Sequence, residues 1–174
     1  MGYEEVPLSL DELRQLSLWT ADCADEVLPL FETVAPEDRR PREAIMVVRE
    51  FGAGGNRTKA IRTAAWAALK AAGEVEDPAA EAAARAAVGA AGSPYLHPLV
   101  AATQVKHVVA AAQYAAYARE LATGDPGAAE AMVRWAVERV PPIVRDVLRR
   151  FPDGTPGRSR LGELHRQVEA ALRG

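Results

Sequence analysis

Apolar residues recur along this chain at the three- and four-residue intervals of an α-helix. The first such set follows Ser9 and comprises Leu13, Leu16, Thr20, Cys23, Val27 and Leu30. Ser9 and Glu12 have the spacing of a capping box, so a helix is predicted to begin there. Pro29 lies inside this set. Because proline lacks an amide donor and clashes with the preceding turn, we expect a kink or a break at that point.

Three more helices are predicted by the same spacing, with glycine and proline between them. They cover about 41–52, 57–72 and 78–92, and the last begins at the Asp77-Pro78 pair. The following segment, about 96–121, is apolar nearly all round. That pattern is typical of a helix at the centre of an all-α domain.

Helical spacing continues from Met132 to Phe151 through Pro141-Pro142, which predicts either one kinked helix or two abutting helices. Ser159 then caps a last helix. We therefore expect a single-domain, all-α bundle of about seven to eight helices with a buried, alanine-rich central helix. The expected organisation is a bundle at 1–151, a turn-rich linker at 152–158 and a C-terminal helix at 159–174 packed on the same domain.

Composition supports close helix packing and narrows the function. About a fifth of the 174 residues are alanine and only 6% are aromatic, so helices can approach closely. The net charge of −3 argues against a nucleic-acid binder. One cysteine, the lack of a signal peptide and the lack of an apolar run of about 20 residues predict a cytoplasmic protein that does not enter membranes.

Metal and phosphate sites are not predicted. The glycine-rich stretch 52–59 lacks the Gly-Lys-Ser/Thr ending of a phosphate loop and follows a helix rather than a strand, so a connector is expected. The three histidines lie far apart in sequence, and no histidine follows or precedes Cys23 at the sequence spacing of a metal-ligand pair. We expect no cofactor, no metal and no catalytic residue, and Cys23 is interpreted as a small buried hydrophobe.

Four polar residues on the predicted central helix fall within one stripe: Thr103, His107, Tyr114 and Tyr117. They could line a pocket or a partner-facing groove, with His107 as a titratable group. Alternatively, they hydrogen-bond neighbouring helices or face solvent, which is the commoner arrangement.

Three arginines form a second candidate, at the start of the second helix: Arg39, Arg40 and Arg42. Their guanidinium groups could bind an acidic partner or phosphates. The commoner interpretation is a solvated helix start with local ion pairs.

Two stretches resemble a known family. The residues from Trp19 to Glu32 and from Pro36 to Ile45 are similar to the start of the actinobacterial "putative immunity protein" family. The similarity continues to about Arg150. The resemblance implies an alanine-rich helical fold and a role in polymorphic-toxin systems, in which an immunity protein binds and neutralises a cognate toxin.

The sequence is therefore compatible with three functions. The first is a non-enzymatic immunity protein that occludes a toxin. The second is a small-molecule or nucleotide-handling enzyme that uses the polar stripe and the arginine cluster in a deep pocket. The third is a homo-oligomeric helical scaffold, for example a homodimer.

Overall fold

The computed structural model describes residues 4–174, which form eight α-helices and no strand, so the predicted all-α bundle is confirmed. Two short 3₁₀ turns, Ser93–Tyr95 and Ala102–Gln104, lie between the fourth and fifth helices. The helices are α1 (Leu10–Val34), α2 (Arg40–Gly52), α3 (Lys59–Glu74), α4 (Pro78–Gly92), α5 (Lys106–Thr123), α6 (Pro126–Arg139), α7 (Pro142–Arg149) and α8 (Arg160–Arg173).

The first helix has the predicted capping box and passes Pro29 without a break. Ser9 Oγ accepts the amide of Glu12 at 3.1 Å, and the Glu12 carboxylate accepts the amide of Ser9 at 2.8 Å. Pro29 is exposed, whereas its neighbour Leu28 is buried. The side of α1 opposite Pro29 packs in the core and keeps the helix in place. The amide that proline lacks is missing on the side that faces solvent.

Two alanine-rich helices, α4 and α5, share the centre of the bundle. Nine of the fifteen residues of α4 are buried alanines, and α4 packs against α1, α2, α3 and α5. At Gly89 the α4 backbone lies so close to α5 that an added Cβ would stand 2.8 Å from the Ala111 nitrogen. Small side chains therefore set the distance between these helices.

The predicted helix over 96–121 is wrong for its first ten residues, because α5 begins only at Lys106. The earlier residues are irregular and include an isolated bridge between Glu5 and Leu99. Pro98 cannot donate an amide hydrogen bond, and it biases the residue before it towards extended backbone. Its carbonyl instead accepts the amide of Val6 at 3.0 Å.

The helix is interrupted at Pro141, so α6 and α7 are two abutting helices and not one kinked helix. Arg145 of α7 bridges the break by donating to the Val137 carbonyl at 3.2 Å. The same guanidinium donates to the Ala171 carbonyl at 2.8 Å, and α8 packs against α5, α6 and α7.

Within residues 4–174, none of the helices combines the length and the apolar composition needed to span a bilayer.

Cys23 is fully buried, and this burial raises the pKa of its thiol well above the usual range. The side chain packs in the apolar core.

Candidate functional site

An open groove of about 600 Å³ lies between the central helices and the C-terminal segment. One side is lined by Gly89 and Gly92 of α4 and by His107 and Tyr114 of α5. The far side comes from the linker before α8 and from α8 itself, including His165. Residues distant in sequence thus create a recess whose lining combines apolar surface with hydrogen-bonding side chains.

Three of the four stripe residues, Thr103, His107 and Tyr114, line this groove. Thr103 does so from the 3₁₀ turn before α5 and not from the helix on which it was predicted. Tyr117 lies in an adjoining groove of about 350 Å³, which Tyr114 also lines. The stripe therefore extends from one groove into the next, and Tyr114 is the stripe residue that lines both.

The imidazole of His107 is half-buried beside α4. Burial lowers its pKa below the ordinary 6.5, the neighbouring Lys106 lowers it further, and a hydrogen bond with the Gly92 backbone acts in the opposite direction. His107 is thus a neutral imidazole at pH 7, with one donor and one acceptor nitrogen.

A second histidine, His165, lies on the opposite side of the groove in a pair that sequence reasoning missed. Its Nε2 lies 3.1 Å from Oε2 of Glu169, one turn later on α8. His165 is 8% exposed and Glu169 is 6% exposed. The signal available in the sequence was the four-residue spacing of a histidine and a carboxylate.

The histidine–glutamate pair holds the linker against α8. Oε1 of Glu169 accepts the Gly154 amide at 2.9 Å and the Arg173 guanidinium at 2.9 Å. Burial favours a higher pKa for Glu169, but these donors together hold it below the ordinary value. Burial lowers the pKa of His165, and the charge of Glu169 opposes this only in part. The pair is therefore a carboxylate beside a neutral imidazole at pH 7.

The groove has no assembled metal-ligand set. Within residues 4–174, three or more His, Cys, Asp and Glu side chains nowhere converge in a way that could hold a metal ion. Serine, threonine, tyrosine and histidine groups give the groove hydrogen-bonding capacity.

The arginine cluster lies apart from both grooves, whose lining residues include none of Arg39, Arg40 and Arg42. Arg40 donates to Asp38 at 2.6 Å and also pairs with Glu74 of α3. Arg42 donates to Glu32 of α1 at 2.7 Å.

These contacts leave only part of the cluster free. Hydrogen bonds from Arg40 keep the pKa of Asp38 below its ordinary range although burial opposes this effect. Arg39 is exposed. Two of the three guanidinium groups therefore tie α2 to α1 and α3, and exposed pairs of this kind contribute little stability.

The comparisons with known proteins identify a family. A model described as "Imm-5 like putative immunity protein" matches residues 7–143, which is more than three quarters of the chain. No curated protein and no solved structure matches the chain. The matched region holds α1 to α6 and the first residues of α7, whereas α8 and its side of the groove lie beyond the match. The resemblance noted from Trp19 to Ile45 is confirmed, and the chain belongs to the Imm-5 like putative immunity protein family.

Proposed function

We propose that this protein binds a cognate protein toxin in the cytoplasm and neutralises it by occlusion, without catalysis. The family match over residues 7–143 carries this proposal. The fold supports it, because α4 and α5 hold the outer helices in fixed positions around a close-packed centre. A preformed surface binds without the entropy cost of ordering a flexible one.

Rescue of growth tests the proposal. Toxin domains from the organism that carries this chain are expressed one by one in a susceptible bacterium, with and without the chain. We expect growth arrest by one toxin to be relieved, and a complex of the two proteins to be measurable by calorimetry at micromolar concentration. If the chain relieves no toxin and binds none of them, the proposal is refuted.

Stoichiometry separates occlusion from enzymatic inactivation of the toxin. The residual activity of the purified toxin is measured against the molar ratio of chain to toxin. Occlusion predicts a linear fall that ends at equimolar chain. Complete loss of toxin activity at a small fraction of that ratio would instead require turnover by the chain.

A second candidate function is the binding of a small ligand in the groove of His107 and Tyr114. The groove volume favours it, since about 300–1,000 Å³ is usual for ligand sites. The enzyme hypothesis also required arginines there, but within residues 4–174 none lines the groove. A thermal-shift screen of nucleotides and small acids tests this candidate. A rise in Tm that Tyr114→Ala removes would support it, and no rise with any compound would count against it.

The arginine cluster and the homo-oligomer are tested separately. Arg39→Ala removes the exposed guanidinium and leaves the ion pairs of Arg40 and Arg42 in place. If the cluster binds the toxin, this variant weakens the complex. Sedimentation across a wide concentration range tests the homodimer, and a constant monomer mass would exclude it in that range.

A further inference from the structure

The most exposed large apolar side chain among residues 4–174 is Trp66, on the outer side of α3. It is 66% exposed, whereas the other exposed large apolar side chains range from 42% to 48%. A tryptophan in water forgoes a large hydrophobic contribution, and tryptophan is enriched among the residues that dominate binding energy at protein interfaces. This position therefore indicates an interaction surface.

Cationic side chains accompany Trp66 along the same side of the helix. Lys59, Arg62 and Lys70 lie seven and four residues before it and four residues after it. At about 100° per residue, these three positions fall within about 40° of Trp66, and the four residues extend over about 17 Å of helix length. We call these four residues the α3 face. The opposite side of α3 is buried in the core, and all four residues of the α3 face are exposed.

Cations dominate the α3 face. The carboxylate nearest to Lys70 is Glu74, at 3.9 Å, and Glu74 is already paired with Arg40. Arg62 lies over the Tyr95 ring at 5.1 Å from its centre. This cation–π contact restrains a flexible side chain, so less entropy is lost when Arg62 binds a partner.

We propose that the α3 face is the surface that holds the toxin, and that the toxin presents acidic side chains around an apolar recess for Trp66. This inference rests on the proposed function and adds the surface and the chemistry of the partner. Trp66 supplies the buried anchor of the interface. The surrounding cations pair with carboxylates and steer the encounter, which raises the association rate.

Other occupants fit this surface less well. A second copy joined symmetrically through it would place Lys59, Arg62 and Lys70 against the same cations of the copy, which repel. Nucleic-acid-binding proteins usually carry a broad basic excess, whereas this chain has a net charge of −3 and a single basic stripe on α3. Within the arginine cluster, Arg40 and Arg42 already hold carboxylates of this chain.

Variants of exposed residues can test the face without disturbing the core. Trp66→Ala removes the anchor, and the double variant R62E/K70E reverses two charges. Met46→Ala is the matched apolar control, because Met46 is 48% exposed on α2. Arg134→Glu, at an exposed position on α6, is the control for charge reversal. Circular dichroism and Tm should show all four variants folded.

The first measurement uses the toxin domain that the wild-type chain neutralises. We expect Trp66→Ala to raise Kd by about 30-fold or more, as loss of an interface anchor does. R62E/K70E should lower the association rate by about tenfold or more and reduce its dependence on salt. The two controls should stay within about twofold of wild type. If the wild-type chain neutralises the toxin and both α3 variants bind it as well as wild type does, the α3 face is refuted and the proposed function stands.

A second measurement needs no toxin and is judged separately. An oligoglutamate peptide and single-stranded oligothymidylate are each titrated into the chain, and the signal of Trp66 is taken as the fluorescence difference between wild type and Trp66→Phe. We expect a salt-sensitive response to the peptide that R62E/K70E removes and Arg134→Glu retains. No response to the peptide, or tighter binding of oligothymidylate, would overturn the assignment of an acidic protein partner. The proposed function itself is judged by the growth-rescue and stoichiometry measurements and not by this titration.

Discussion

The contact between α4 and α5 at Gly89 permits a quantitative test of how this bundle is packed. In Gly89→Ala the new Cβ would stand 2.8 Å from the Ala111 nitrogen, 3.0 Å from the Ala110 carbonyl carbon and 3.1 Å from the Ala110 Cβ. The first two are backbone atoms, so no change of rotamer can relieve the contact. The two helices must move apart instead, and the groove that they line must change with them.

Two opposing terms set the magnitude for Gly89→Ala. Overpacking a close-packed interior costs about 1–3 kcal/mol. Alanine in place of glycine inside a helix contributes about 1 kcal/mol of stability. We therefore expect the free energy of unfolding to fall by about 1 kcal/mol, because two of the three contacts are with a backbone that is itself held in a helix.

Gly73→Ala is the matched control, because a Cβ added to Gly73 on α3 meets nothing within 4 Å. It should stabilise the protein by about 0.5–1 kcal/mol through helix propensity alone. Urea unfolding followed by circular dichroism gives both free energies and shows whether the m-value is unchanged. The difference between the two variants measures the overpacking term. Equal changes in both variants would refute the close-approach argument.

Three further predictions concern polar contacts. Arg150 Nη2 lies 2.7 Å from Oε1 of Glu12, and this hydrogen bond helps to hold the pKa of Glu12 below its ordinary 4.5. Glu12→Gln should weaken the pair. The stability from this pair is present above pH 4.5 and is lost as the pH falls through the lower folded pKa, so acid titrations should show a shallower loss in the variant. His107 likewise binds its proton more weakly in the folded chain, which makes stability fall as the pH drops below about 6.5. His107→Gln should flatten the stability profile between pH 7 and 5 measured by urea unfolding. An unchanged slope in this range would contradict the prediction. Gly154→Ala should lower Tm and speed proteolysis of the linker, since its Cβ would lie 2.6 Å from Nε2 in the buried histidine–glutamate pair.

The candidate site shows where sequence patterns stop being informative. The stripe was predicted on one helix, and three of its members do line one groove, although Thr103 reaches it from a 3₁₀ turn. The far side of the groove was not predicted. His165 and the linker reach it only because α8 packs back onto α5, and no local pattern encodes that contact. The same limit applies to Arg40, whose partner Glu74 is distant in sequence.

By itself, the sequence determined the helices, their caps and the family, because these depend on neighbours within a few residues or on a matched pattern. The capping box at Ser9 and the glycine that ends α5 at position 124 are of this kind. Tertiary structure decided that α1 passes Pro29 and that Trp66 remains in water. Both outcomes depend on which surface a residue meets across the bundle. For α1, burial against distant helices outweighs the local cost of proline inside a helix, which is about 3 kcal/mol.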